Sequence, residues 1–290
     1  LNKNFERSIS MLSNMGYSYL EFFGPYYFSS PSVKDTWKKY SFFPESDNPF
    51  SGFYGNSGKE VKSILSSYKM RSPSIHTDLE TLENHMGELA SGALECGAKY
   101  VILPSIPSDQ RQNLDQYKKM ADRFNSIGEA AKSEGVLFAY HNHGYGFSEI
   151  KGIIPIHYIF ENTDPNTVFF EMDIFWTLGA GQNPVELLKK YPKRYKLMHL
   201  KDMKEKLTFD GDGENPQQWY KLFPNMTSCG NGIAELESII ETARNVGVKY
   251  FYVEQDMAKN PEIVLKKSIC LLYTSPSPRD RTRSRMPSSA

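Results

Sequence analysis

Residues 137–147 read Leu-Phe-Ala-Tyr-His-Asn-His-Gly-Tyr-Gly-Phe, an apolar run of the kind that is buried as a strand, ending in His141, Asn142 and His143. Burying imidazole rings without partners costs a few kcal/mol each, so something at that end of the strand should bind them. Working outward, the run is preceded by an amphipathic stretch over 114–135 that closes on Gly135, as helices closing on a C-terminal glycine do. The same alternation recurs along the chain. Short β-branched or aromatic runs fall at 17–24, 72–78, 99–105, 136–143, 167–175, 195–203 and 249–256, with helical stretches between them, among them 81–97 and 234–247. That is the pattern of a parallel α/β fold.

Seven β/α units in about 260 residues, opening on a helix, predict a (β/α)8 TIM barrel over residues 1–269 whose first strand precedes Leu1. An open doubly wound sheet is the competing architecture. No strand is followed by a glycine-rich phosphate loop, and Gly211-Asp212-Gly213 and Gly230-Asn231-Gly232 both lie in a long stretch before the last strand, which leaves a dinucleotide reading weak. Another long insertion, 25–53, is rich in aromatic residues, including Tyr26, Phe28, Trp37, Phe42, Phe43 and Phe53. It is either a satellite cluster packed on the barrel or a lid over a pocket.

The chain is 39% hydrophobic and 13% aromatic, with 34 basic and 34 acidic residues. This composition suits a globular domain and offers no basic surface for nucleic acid. No apolar run approaches the roughly 20 residues that span a bilayer. Cys96, Cys229 and Cys270 have neither disulfide nor metal-site spacing and read as small buried residues. From Cys270 the composition turns abruptly to Ser, Pro and Arg, and Cys-Leu-Leu-Tyr-Thr-Ser-Pro-Ser-Pro-Arg-Asp resembles the translation of a transposase sequencing adapter. Residues 270–290 are therefore expected to be a disordered tail outside the evolved fold. Without Arg279, Arg281, Arg283, Arg285 and Asp280 the net charge moves from 0 to −3. Because the sequence starts at Leu1 inside a helical pattern, a signal peptide cannot be judged. A cytoplasmic location is the expectation, with the periplasm open.

In a barrel the carboxyl ends of the strands share one mouth, so ionisable residues there converge. The chain places Glu21, His76 with Asp78, His141 with His143, Glu171 with Asp173, His199 with Lys201 and Asp202, and Glu254 with Asp256 at those ends. Residues two apart on a strand share a face, so each such pair can point inward. A lone strand-end carboxylate usually caps the following helix, and a lone buried histidine is usually a satisfied core residue. Six strands repeating the pattern are harder to explain that way. Imidazole and carboxylate donors without thiolate suit one divalent ion, Mn, Co, Zn, Fe or Mg, bound by His141, Asp173, His199 and Glu254. Lys201 beside it is expected to act as an electrophile or proton donor with its pKa lowered, or else to sit in a salt bridge with Asp202 or Glu171.

With these residues in view the chain resembles the sugar phosphate isomerase/epimerase family of xylose-isomerase-like barrels over nearly all of residues 1–269. The motifs Phe138–Phe147, Glu171–Pro192, Leu197–Met203 and Phe251–Asp256 occur in the family's order at what would be its fifth to eighth strands. The resemblance implies a metal site on those strands, carrying over to Asp173, His199 and Glu254. Where the family often has Glu-Asn-His on the fifth strand, this chain has His141-Asn142-His143. Family epimerases use opposed carboxylates on the fifth and eighth strands, and His141 breaks that pairing. Relatives resembling inosose dehydratase also have a histidine-rich fifth strand, which brings in elimination next to a ketone.

The leading expectation is an isomerase or epimerase acting on a small sugar or keto-sugar, with Glu254, His143 and Lys201 transferring protons and Glu21, His76 and Trp176 contacting substrate. A dehydratase or other lyase is the second class. A metal-dependent hydrolase or a catalytically silent sugar-binding barrel is the third.

Overall fold

The computed structural model describes residues 5–39 and 52–274. Its strands are β1 Tyr19–Phe23, β2 Arg71–His76, β3 Tyr100–Leu103, β4 Leu137–His141, β5 Val168–Asp173, β6 Tyr195–Leu200, β7 Asp202–Met203, β8 Met226–Thr227 and β9 Tyr250–Val253. β1 to β6 and then β9 form one sheet in that order, every neighbouring pair parallel, curled into a nearly closed barrel. All seven strands read from the sequence are therefore present. β7 and β8 pair antiparallel, outside the barrel sheet. The edge strands β1 and β9 meet through side chains, Tyr19 and Tyr250 packing edge to face at 5.4 Å, and inside the barrel Ser74 Oγ of β2 lies 2.7 Å from the Tyr252 hydroxyl of β9.

Strand alternation sorts the side chains into two populations. Val101, Phe138, Tyr140, Val168, Phe170, Met198 and Leu200 point outward and join the helices in the main core. Tyr100, Ile102, Ala139, Phe169, Leu197 and Tyr252 point inward and form a separate cluster inside the barrel. Each fully buried large apolar side chain contributes roughly 1.5–3 kcal/mol. Towards the carboxyl ends the inward positions become polar, and it is there that His76, His141, Glu171, Asp173, His199 and Lys201 are buried. The apolar layer is the floor on which they stand.

Helix termini follow local chemistry. Asn113 caps Leu114–Ser133 by accepting from the Gln116 N–H, and Gly97 and Gly247, at φ of 90° and 107°, close Met86–Cys96 and Leu236–Val246. The helix expected over 81–97 is two, Leu79–Asn84 and Met86–Cys96, broken at His85. In the 25–53 insertion, Tyr26, Phe28 and Phe53 are buried in the main core, with Tyr26 packed 4.8 Å from each of the other two rings. These three behave as a packed cluster; Phe42 and Phe43 lie outside the described residues, as does the Trp37 side chain. The final helix, Pro261–Thr274, runs past residue 269 into the segment expected to be disordered. Leu271 and Leu272 favour helix, and the first residue to oppose it is Pro276. Residues 275–290 lie outside the described residues.

Among the described residues no helix is long and apolar enough to cross a membrane. The Gly230-Asn231-Gly232 segment has a structural task. It wraps the fully buried Asp202 carboxylate, which accepts from the N–H groups of Gly230 and Gly232 at 2.9 Å, Ala234 at 3.0 Å and Met203 at 2.8 Å. A Cβ on Gly232 would lie 2.3 Å from Asp202 Oδ1, so only glycine allows this approach. Asp202 therefore anchors the loop before β9 and does not face the barrel mouth.

Candidate active site at the barrel mouth

The residues at the strand ends separate into two connected layers. In the inner layer, Glu21 of β1, His76 of β2 and Glu171 of β5 meet His199 of β6. His76 Nε2 lies 2.8 Å from both Glu21 Oε2 and Glu171 Oε2, and His199 Nε2 lies 2.8 Å from Glu21 Oε2. Burial works against the charged form of His76, but the carboxylates of Glu21 and Glu171 outweigh it and push its pKa up to about 9.

In the outer layer, His141 of β4, Asp173 of β5, His199, Lys201 and Glu254 converge. His141 Nε2 is 3.5 Å from Asp173 Oδ2, and His199 Nδ1 is 4.0 Å from that oxygen and 2.6 Å from Glu254 Oε2. Lys201 Nζ touches Asp173 at 3.0 Å, Glu254 at 2.8 Å and Asp256 at 3.0 Å. Its partners are thus neither Asp202 nor Glu171. Burial alone would lower the Lys201 pKa; the three carboxylates more than reverse this and hold it well above the ordinary lysine value. Burial likewise opposes ionisation of Asp173, but the Lys201 ammonium beside it brings its pKa down to about 2.

The donor set fits a divalent cation. His141 Nδ1 faces the Pro104 carbonyl oxygen at 3.1 Å; a carbonyl only accepts, so Nδ1 carries the proton and Nε2 the lone pair. Nε2 is buried without a hydrogen-bond partner, 3.5 Å from Asp173 Oδ2, an oxygen ion-paired with Lys201 Nζ at 3.0 Å. A buried imidazole lone pair aimed at an anionic oxygen calls for a cation between them. His141, Asp173 and His199 offer atoms within 4.8 Å of one another, as do Glu21, His76, Glu171 and His199. The first group contains the unpartnered His141 Nε2 and presents His199 Nδ1 on the side of Glu254.

Asp173 does two jobs. Oδ1 caps the helix Ile174–Gly179 by accepting from the Trp176 N–H at 3.0 Å, which leaves Oδ2 for the site. Asp78 has nothing left over, because its two oxygens accept from the Thr81 N–H and Oγ1–H, both at 2.7 Å. Asn142 braces β4 against β5, accepting from the Asp173 N–H and donating to Thr177 Oγ1.

Aromatic rings form the wall beside these groups. His143 stacks on Trp219 with ring centres 5.0 Å apart and planes 5° apart, and lies 5.7 Å from Trp176. Lys201 Nζ is 5.6 Å from the centre of the Trp176 ring, so both groups neighbour the same indole. Burial, followed by the neighbouring His141, drives the His143 pKa well below the usual histidine value. His143 is a neutral base. Trp219 comes from the segment between β7 and β8, which leans on the mouth where Phe209 covers Gly144; a Cβ there would lie 1.8 Å from the ring. Arg111, buried over the Tyr145 ring at 3.8 Å, ties this segment down through an ion pair with Glu214. Trp219, Arg111 and Glu214 were not singled out from sequence, because they sit in polar stretches with no periodicity.

Comparison with known proteins agrees with this architecture. The family model described as xylose isomerase-like TIM barrel matches residues 9–274. Among curated proteins, the chain is 29% identical over 160 residues to inosose dehydratase 2 of Bacillus cereus; the match covers 52% of this chain and 52% of that protein, so the chain spans about half the length of the relatives it matches. Among solved structures, a sugar phosphate isomerase/epimerase from Parabacteroides distasonis superposes with a TM-score of 0.71 at 24% identity, covering 94% of this chain and 89% of the other. The IolI protein with a bound zinc atom superposes at 0.66 with 15% identity, covering 93% and 92%. Seven parallel strands with a convergent polar mouth, matched from residue 9 to residue 274, make this chain a member of the xylose isomerase-like TIM barrel family.

Proposed function

We propose that this protein removes a proton next to the carbonyl of a small keto-sugar and then expels water, a dehydratase reaction, with one divalent cation held by His141, Asp173, His199 and Glu254. The observation that carries the reading is the asymmetry of the mouth: His143, held toward its neutral form, and Lys201, held toward its charged form, neighbour the same Trp176 ring. His141 occupies the place of one of the two opposed carboxylates that a symmetrical epimerisation would use. The curated inosose dehydratases matched over half of the chain support the same branch. When bound, a cation here would polarise the carbonyl and the neighbouring hydroxyl oxygen.

His143 takes the proton at Nδ1, the ring nitrogen without a hydrogen-bond partner, as the carbon–hydrogen bond breaks. Lys201, held charged by three carboxylates, is a poor proton donor and a good fixed positive charge; it stabilises the enolate oxygen. The protonated His143 then delivers its proton to the departing β-hydroxyl, the carbon–oxygen bond breaks and water leaves. The Trp219 and Trp176 rings shield the imidazole from solvent and offer apolar faces to the ring carbons of a sugar.

If the same imidazole delivered the proton to the neighbouring carbon, the outcome would be isomerisation; epimerisation would need a second proton donor on the opposite face of the enolate. The test is incubation of the metal-loaded protein with keto-inositols and keto-sugars in deuterated water, followed by NMR and ultraviolet absorbance. Dehydration predicts a new conjugated enone or enol absorbance with stoichiometric loss of substrate. Deuterium exchange with interconversion and no new absorbance would establish the isomerase branch instead, and no exchange with any keto-sugar would remove both.

A further inference from the structure

The inner layer contains a carboxylate that the proposed reaction does not use. Glu21 is almost wholly committed to neighbours: Oε2 lies 2.8 Å from His199 Nε2 and 2.8 Å from His76 Nε2, and Oε1 accepts from the Ser74 hydroxyl, which also contacts Tyr252. The His76 and His199 rings are parallel within 6°, both presenting Nε2 to the same oxygen. An ionised carboxylate offers only lone pairs, so a nitrogen facing it at 2.8 Å carries its hydrogen there.

We propose that Glu21 is a positioning residue that selects which nitrogen of His199 meets the cation. With Nε2 holding a proton against Glu21, the nitrogen whose hydrogen a cation would displace is Nδ1, which faces Glu254 at 2.6 Å and lies 4.0 Å from Asp173. His141 is set in the opposite sense by the Pro104 carbonyl, which holds Nδ1–H and leaves Nε2 for the site. The two rings reach one centre through different nitrogens, each fixed by an acceptor that does not touch the cation. Partners of this kind typically change metal affinity 10- to 100-fold. Glu171 Oε1, 3.4 Å from His199 Nε2, is too distant to substitute.

This inference rests on the metal reading above, and its test separates the two. The chelator-stripped full chain, labelled with 15N-histidine, is titrated with Zn2+ in competition with a chromophoric chelator, and long-range 1H–15N spectra of the loaded form report which nitrogen of each ring is protonated. Two variants divide reach from charge: Glu21→Asp keeps the charge but withdraws the acceptor by one methylene, whereas Glu21→Gln keeps an acceptor oxygen at full reach. The expected result is Zn2+ binding roughly 10- to 100-fold weaker in Glu21→Asp, with loss of the His199 Nε2–H signal, and binding within a few-fold of the parent in Glu21→Gln with that signal retained. The reverse order, or parental affinity and spectra in both variants, would overturn the positioning role. So would two zinc ions per chain falling to one in both variants, which would make the inner layer a metal site itself. Failure of the parent chain to bind Zn2+ would overturn the metal reading and this inference together.

Discussion

Asp173→Asn is expected to fold like the parent chain yet lose its cation and its turnover. Asparagine caps helices as well as aspartate does, so the contact to the Trp176 N–H survives and the change in stability should stay near 1–2 kcal/mol. The substitution removes the anionic Oδ2, the oxygen that faces His141 and Lys201. Since groups merely orienting a ligand are worth 10- to 100-fold in metal affinity, loss of a ligand should exceed about 100-fold, and activity should fall in step. Metal analysis after dialysis, read beside a melting curve, decides the matter. A variant that keeps its cation but loses activity would make Asp173 a substrate contact.

Lys201→Met is expected to do the opposite to the metal. The ammonium is bonded to Asp173 and Glu254, two of the carboxylates assigned to the cation, so it competes with the cation for them. Methionine fills similar space without charge, and cation affinity should hold or rise. Turnover should fall roughly 100- to 1,000-fold, the usual effect of removing one fixed donor from a developing oxyanion. Loss of the cation together with turnover would show that Lys201 supports the shell and not the chemistry.

The fold was readable because each strand ends the same way. Val168–Asp173 runs apolar and then turns to Glu171 and Asp173; Tyr195–Leu200 does so at His199. A period of two, repeated with helices between, leaves few architectures. The site was readable only in part, since residue type does not reveal how a side chain spends its hydrogen bonds. Asp78, Asp173 and Asp202 look alike as strand-end aspartates. Asp78 spends both oxygens on Thr81, Asp202 gathers the Gly230–Ala234 loop, and only Asp173 keeps an oxygen for the mouth. Glu21 and His76, expected to contact substrate, are turned toward His199 and Glu171. For Lys201, three carboxylates from β5 and the end of β9 reverse the expected lowering of its pKa, and their convergence is a property of the closed sheet.

The account turns on two imidazoles and two carboxylates sharing one cation, and X-ray absorption at the zinc edge of the loaded protein tests this most directly. Multiple scattering counts imidazole ligands, and the predicted spectrum shows two of them, His141 and His199, with the remaining ligands oxygen and no sulfur. His141→Ala should reduce the count to one, and His143→Ala should leave it at two. A count unchanged by His141→Ala and lowered by His143→Ala would contradict the account, placing the ligand of the fifth family strand one inward position further along the chain.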